Sequence, residues 1–464
     1  MKCWNLPDAS TAITIAAVFF LYAIVPPAAM AAVVEHTFVV SQVKMTRLCN
    51  ETLVTLANGQ FPGPAIEVTD GESVTVHVVN KSPYNLTIHW HGVKQRLNCW
   101  ADGVPMITQC PILPNHNFTY RFDVAGQEGT LWWHAHVAFL QATVHGALVI
   151  RPRHGASSYP FPKPYKEIPI IIGEWWQMDL EQADSGIAHG VDLYFGASTI
   201  NGKLGDLYNC SGSIEDGYML DRSSFAKYYL KIAGHKFTVV ASDANYVSPY
   251  TTDVIAIAPG ETMDALVVAD AAPGRYYMVA LPNQSPEPDP QSPILVTRGV
   301  VQYHRAQAPA IDTPVSPEMP DQDDLMPSFH FHANLTGLLH HPQRTPVPTQ
   351  VDERLFITLG LGTICRQGQS CKRSQSNETV TVATMNNISF RQPAVNAPLL
   401  ELHYHNANGM DMLQELPDKA PRVFNYTDPA LIPPGPKEAK LEPTSKAALA
   451  RCFRQGAGYV FPGL

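Results

Sequence analysis

At 464 residues the chain is long enough for about three domains at ~150 residues each. Its 45% hydrophobic content permits sizeable cores, and 40 prolines with 30 glycines fit a turn-rich β protein. A net charge of −9 with no basic stripe excludes nucleic acid as the expected partner.

Residues 1–31 read as a secretory signal. Lys2 supplies the positive start, Ala12 to Val25 the apolar run, and Ala29-Met30-Ala31 a small-x-small cleavage site. The run is too short for a membrane anchor, so no membrane association is expected after signal removal. A first unit covers 33–153, with a turn at Phe61-Pro62-Gly63-Pro64 and an alternating strand from Ser73 to Val79. A second unit, 163–305, opens with Glu167-Ile168-Pro169-Ile170-Ile171-Ile172-Gly173. Residues 306–327 are rich in Pro and Asp and read as a linker, and a third unit occupies 328–464. All three read as β-sandwiches with few helical stretches, which makes the fold class all-β.

Two triplets carry the chemistry. His89-Trp90-His91 and His134-Ala135-His136 each sit among β-branched and aromatic residues, which places them on strands. Side chains at i and i+2 on a strand share a face, so two neighbouring strands would aim four imidazoles at one volume. Neutral imidazole suits copper, zinc and iron. The bland alternative is a pair of packed or exposed histidine strands.

The surroundings name a family. His89-Trp90-His91-Gly92-Val93, Trp100-Ala101-Asp102-Gly103, Thr108-Gln109-Cys110-Pro111-Ile112 and Gly129-Thr130-Leu131-Trp132-Trp133-His134-Ala135-His136 resemble the first copper-binding half of plant laccases, which are multicopper oxidases. Gly173-Glu174-Trp175-Trp176, Leu207-Tyr208-Asn209-Cys210-Ser211 and Ile255-Ala256-Ile257-Ala258-Pro259-Gly260-Glu261-Thr262 extend the resemblance downstream. It implies tandem cupredoxin-like β-sandwich domains and copper as cofactor, four ions in a complete enzyme. It also implies oxidation of phenols, including lignin-derived ones, coupled to reduction of dioxygen to water. His89 looks like the type 2 ligand, and His91, His134 and His136 look like type 3 ligands. Asp102 resembles the acid that orients copper-bound water and helps deliver protons. Its bland alternative is a turn aspartate, since Asp-Gly is a good turn pair. The enzyme is expected to be a monomer secreted to the apoplast, with phenolic small molecules and dioxygen as partners.

Two departures stand against full activity. After Asp221 about a dozen residues of the family pattern are missing, which would leave the second domain short of a strand. The third-domain motifs His-Pro-x-His-x-His and His-Cys-His-x-x-x-His occur nowhere in these 464 residues, which makes the third domain incomplete and the full copper set impossible here. The mononuclear site needs a cysteine thiolate. The expectation is therefore a laccase by family whose chain as written does not turn over, so its standing as an enzyme stays open. The alternative is a secreted non-catalytic copper-binding remnant.

The remaining histidines read as ordinary: His330 and His332, His340 and His341, His403 and His405, with His145 and His235 as structural single residues. Trp90, Trp132 and Trp133 read as packing that fixes the imidazoles, and Glu174, Trp175 and Trp176 as core and domain contact. Cys365 and Cys371 bracket a short polar loop and are expected to pair locally. The family pattern suggests a Cys49–Cys210 bridge and leaves Cys99, Cys110 and Cys452 uncertain. Ten Asn-x-Ser/Thr sites, at Asn50, Asn80, Asn85, Asn117, Asn209, Asn283, Asn334, Asn377, Asn387 and Asn425, argue for a glycosylated surface.

Overall fold

Alternation of Val, Phe and aromatic residues with polar ones gives the first domain eight strands: β1 (Val33–Arg47), β2 (Asn50–Ala57), β3 (Ile66–Thr69), β4 (Ser73–Asn80), β5 (Ile88–His91), β6 (Asn117–Asp123), β7 (Gly129–Ala135) and β8 (His145–Arg151). The protein is described here from a computed structural model. It describes residues 32–155, 158–176, 180, 196–207, 227–283, 296–303, 313–339, 341, 349–351, 355–365, 379–385, 388–389, 397–404 and 440–441. The strands form two sheets, ordered β2-β1-β4-β6 and β3-β8-β7-β5. Val74, Val76 and Val78 of β4 turn inward with Phe38, Tyr120, Trp90 and Trp133, all fully buried. The expected strand at Ser73–Val79 is β4, and its period of two is what lets one face make core while the other meets solvent.

The second domain opens with the pair β9 (Ile172–Trp175) and β10 (Ala197–Ile200). Trp175 packs with Val54 and Leu56 of the first domain, and Trp176 enters the first domain's own core. These two tryptophans therefore act as core and domain contact, as their sequence suggested. The remaining strands are β11 (Lys227–Ile232), β12 (Phe237–Ser242), β13 (Asn245–Thr252), β14 (Ile255–Ile257), β15 (Met263–Val267), β16 (Arg275–Asn283) and β17 (Thr297–Gln302). They form sheets ordered β14-β11-β16-β17 and β13-β12-β15 around Tyr229, Val239, Ala256 and Ala280.

Beyond residue 312 the chain does not leave the second domain at once. Val315 bridges to Tyr276. Helix α1 (Met326–Asn334) seats Phe331, 1% exposed, in the second domain's core. Residues 313–339, divided by the sequence reading between a linker and a third unit starting at 328, thus pack on the second domain. The reason is Phe331, an aromatic whose burial outweighs the polar composition around it. Further on, β18 (Leu359–Cys365), β19 (Thr379–Met385), β20 (Ile388–Ser389) and β21 (Lys440–Leu441) make one sheet. Helix α2 (Leu399–Tyr404) returns to the first domain: the amides of Leu399 and Leu400 donate to the carbonyls of Met106 and Ile107 at 3.0 and 2.9 Å.

The expected signal segment, the shortened stretch after Asp221, Cys210, Cys371, Cys452, His340, His405 and the sequons at Asn209, Asn377, Asn387 and Asn425 lie outside the described residues. Cys49 is disulfide-bonded. Among the described residues no helix is long and apolar enough to cross a membrane. Two sequons need correction. Asn80 is fully buried and its Nδ2 donates to the carbonyls of Tyr84 and Ile112, at 2.7 and 2.9 Å. Asn283 is 7% exposed and donates to Gln322 O at 2.6 Å. Neither amide has room for a glycan, whereas Asn50, Asn85, Asn117 and Asn334 are exposed.

Candidate metal centre

Strands β5 and β7 are hydrogen-bonded neighbours in antiparallel register, with His89 opposite His134, Trp90 opposite Trp133 and His91 opposite Trp132. The pleat sends Trp90 and Trp133 into the core and His89, His91 and His134 to the other face. His136 follows directly after β7, its amide donating to Thr87 O at 3.0 Å. The four rings gather as expected. Ring centroids lie 5.5 Å apart for His89–His91, 5.4 Å for His89–His134 and for His89–His136, and 5.8 Å for His134–His136. One ring nitrogen from each of His89, His91 and His134 falls within 4.8 Å of the others.

Second partners orient the rings. His89 Nδ1 donates to the Asp102 carbonyl at 2.7 Å, with the Asp102 carboxylate 3.4 Å away. His134 Nδ1 donates to the Ala135 carbonyl at 2.9 Å. In the neutral rings both bonds leave Nε2 as the nitrogen with a free lone pair. Trp132 stacks on His134 at 4.2 Å. Asp102 is brought there by a 3-10 turn, Cys99–Ala101, followed by Gly103 at φ +81°, where any Cβ would overlap the Ile88 carbonyl. The Asp-Gly pair is therefore a turn pressed against the strand that carries His89. The turn reading holds, and the turn stands beside His89. Cys99 within this turn is a half-buried free thiol with its pKa raised by burial.

Electrostatics favour the neutral, ligating form for His91, His134 and His136. Burial pushes His91 down to about 4, helped by the nearby His89 and His136. Burial likewise pushes His134 down to about 2, and lowers His136. Burial opposes charge on His89 too, but the Asp102 carboxylate and carbonyl outweigh it and hold this one imidazole above its ordinary value. The donor set fits a metal. His91 Nδ1 and His134 Nε2 stand 3.4 Å apart. Two nitrogens each about 2 Å from one ion at a tetrahedral angle would be about 3.3 Å apart. With both rings neutral and His134 Nδ1 holding its own proton, His134 Nε2 presents a lone pair, and with His91 protonated at Nε2 a shared cation would satisfy both facing nitrogens.

Among the described residues, no other histidine joins the metal-ligating group formed by His89, His91 and His134. His145 and His235 are buried and bonded through Nδ1 to the carbonyls of Gln141 and Ala233. His332 pairs with Glu261 at 3.2 Å. Sequence reading missed the contribution of the second domain. The Gly260 carbonyl accepts from Trp132 Nε1 at 3.2 Å, and Gly260 lies directly against the His91 ring. The Pro259-Gly260 pair was visible as a turn signal, but nothing local tied it to the histidines.

Comparison with known proteins agrees with this geometry. A family model described as multicopper oxidase matches residues 39–155, and a second with the same description matches 166–304. Laccase-15 of Oryza sativa subsp. japonica is 60% identical over 456 residues, covering 93% of this chain and 76% of that protein. Laccase-19 of the same organism is 53% identical, covering 91% and 74%. Among solved structures, the multicopper oxidase Fet3p, described as functioning in iron import, superposes with a TM-score of 0.60 at 20% identity, over 79% of this chain and 66% of that one. A laccase from Botrytis aclada gives 0.55 at 20% identity, over 83% and 68%. Both share the fold of this chain. With all-β domains, an imidazole cluster suited to copper and this level of identity over most of both sequences, the chain belongs to the multicopper oxidases and is a plant laccase.

Proposed function

We propose that His89, His91, His134 and His136 are copper ligands of the cluster at which a laccase reduces dioxygen, His89 in the type 2 position and the other three in type 3 positions. The observation that carries this reading is the β5–β7 register, which sets His89, His91 and His134 on one side of the sheet, with His136 directly after it and its ring 5.4 Å from that of His89. Copper, when bound, supplies one-electron oxidation of phenols and reduction of dioxygen to water. The chain's own residues do the rest. The carbonyls of Asp102 and Ala135 fix the tautomers of His89 and His134. Trp132 covers the His134 face and limits water access. The Asp102 carboxylate, part-exposed beside His89, is placed to hold a proton for delivery toward the cluster. The enzyme acts as a secreted monomer in the apoplast on phenolic and lignin-derived compounds.

A second reading concerns these 464 residues taken alone. They contain no His-Cys-His, so this polypeptide binds copper at the imidazoles without completing a phenol-oxidising circuit. The test of the site is metal content after Cu(II) loading and exhaustive dialysis. The wild-type chain is expected to retain copper, the His134→Ala/His136→Ala double variant to lose it, and His330→Ala to match wild type. Wild-type copper in the double variant would overturn the placement.

A further inference from the structure

We propose that the second-domain turn at residues 258–262 is a positioning element for the imidazole cluster, and that Gly260 sets where the His91 ring lies. The proposal rests on the copper-ligand reading above. Strand β7 presents Thr130, Trp132 and His134 on one face, and the second domain holds the first two. Thr262 Oγ1 donates to Thr130 O at 2.6 Å, Thr130 Oγ1 donates to Asp264 Oδ1 at 2.5 Å, and Trp132 Nε1 donates to Gly260 O at 3.2 Å. Trp132 passes this constraint on. Its ring stacks on His134 at 4.2 Å and lies 5.2 Å from His91.

Gly260 itself closes over His91. Its φ is +89°, a conformation that side-chain-bearing residues rarely adopt, and a Cβ there would stand 3.2 Å from His91 Nε2 and 3.3 Å from Cε1. The ring would have to give way. The turn cannot easily retreat, because it is fastened from behind. The Glu261 carboxylate accepts from the Ala258 amide at 2.8 Å and pairs with His332 of α1, and the Thr262 amide donates to Asp243 Oδ1 at 2.9 Å. The route from α1 through Glu261 and Gly260 to His91 is a chain of direct contacts. It gives the second domain, which contributes none of the four imidazoles, a part in defining the site.

The test uses the 464-residue chain and Cu(II) as probe, with Gly260→Ala and Trp132→Phe as variants. Phe keeps the stack on His134 but cannot donate to Gly260 O. Each is read by Cu(II) affinity, by copper hyperfine splitting in electron paramagnetic resonance, and, metal-free, by the His91 ring resonances in 1H–13C spectra, identified by their absence in His91→Ala. Gly260→Ala is expected to weaken Cu(II) binding at least about tenfold, to change the hyperfine splitting and to shift the metal-free His91 resonances. Trp132→Phe is expected to give a smaller change of the same sign. Wild-type hyperfine splitting and wild-type His91 resonances in Gly260→Ala would overturn the proposal. Should Gly260→Ala not fold, wild-type values in Trp132→Phe would overturn it. Should the wild-type chain take up no copper, the ligand reading fails, and the metal-free His91 shift still decides the positioning role.

Discussion

His89 Nδ1 is held most closely by the main-chain carbonyl of Asp102, with the carboxylate of the same residue beside it, so one residue carries two roles. The carbonyl fixes the ring at 2.7 Å while the carboxylate stands 3.4 Å away, part-exposed. Asp102→Asn is therefore expected to leave copper content within about twofold of wild type, since tautomer control is retained. Copper loss equal to that of His89→Ala, measured by metal analysis, would show that the carboxylate matters for binding. The same attention to single atoms sorts the glycosylation sites. Glycopeptide mapping of chain made in plant cells should find Asn80 and Asn283 empty, because their amides are committed to buried hydrogen bonds. A glycan on Asn80 of folded protein would contradict its placement.

Strands β5 and β7 carry the site as one unit. A register slip of one residue would send His89 and His91 into the core and Trp90 to solvent, so the buried tryptophans lock the histidine face in place. Trp133 is fully buried and donates to Pro64 O at 2.9 Å. Trp133→Ala should cost about 3–5 kcal/mol, read as a lowered denaturation midpoint. A cost under about 1 kcal/mol would mean the sandwich core is not what positions the histidines.

Helix α1 and the 258–262 turn share a different kind of link. The Glu261 hydrogen bond raises His332 above its ordinary 6.5, a contribution present below 6.5 and lost as pH rises through the raised value. Burial works to raise Glu261, but His332 and the Ala258 amide hold it below its ordinary 4.5. That contribution is present above 4.5 and lost as pH falls through the lowered value. Both operate together between 4.5 and 6.5. With both side chains about a third exposed, the pair contributes no more than about 1 kcal/mol. Unfolding curves of wild type and Glu261→Gln should differ most within that window and converge on either side. A constant difference across pH would remove the ion pair from the account.

Among the described residues, the first two sandwiches join through polar contacts at the histidine face and tryptophans behind it. Trp175 and Trp176 seal one side, and Thr130, Trp132 and the 258–262 turn make the other. For the 464-residue polypeptide assayed alone, no intense blue absorption and no phenol oxidation are expected after copper loading. The intense colour needs a copper–thiolate bond of the kind His-Cys-His supplies. Appearance of that colour in a visible spectrum would show that another cysteine serves.

Much of the histidine cluster was readable in advance because it obeys a local rule. His-Trp-His and His-Ala-His put imidazoles and bulky aromatics on opposite faces of a strand whatever the partner strand is, since the pleat has a period of two. The Trp-Ala-Asp-Gly turn was likewise visible from its residue types. What no local pattern could supply is pairing across distance. That β5 lies beside β7 with His89 facing His134, that Asp102 offers its carbonyl, and that Gly260 closes on His91 are set by how two sheets and two domains pack. Residues 313–339 teach the same lesson: composition suggested a linker up to residue 327 and a third unit from 328, but the burial of Phe331 against a core formed far earlier in the chain settled where they go. Local periodicity chooses which side chains share a face. Contacts between residues remote in sequence choose what that face meets.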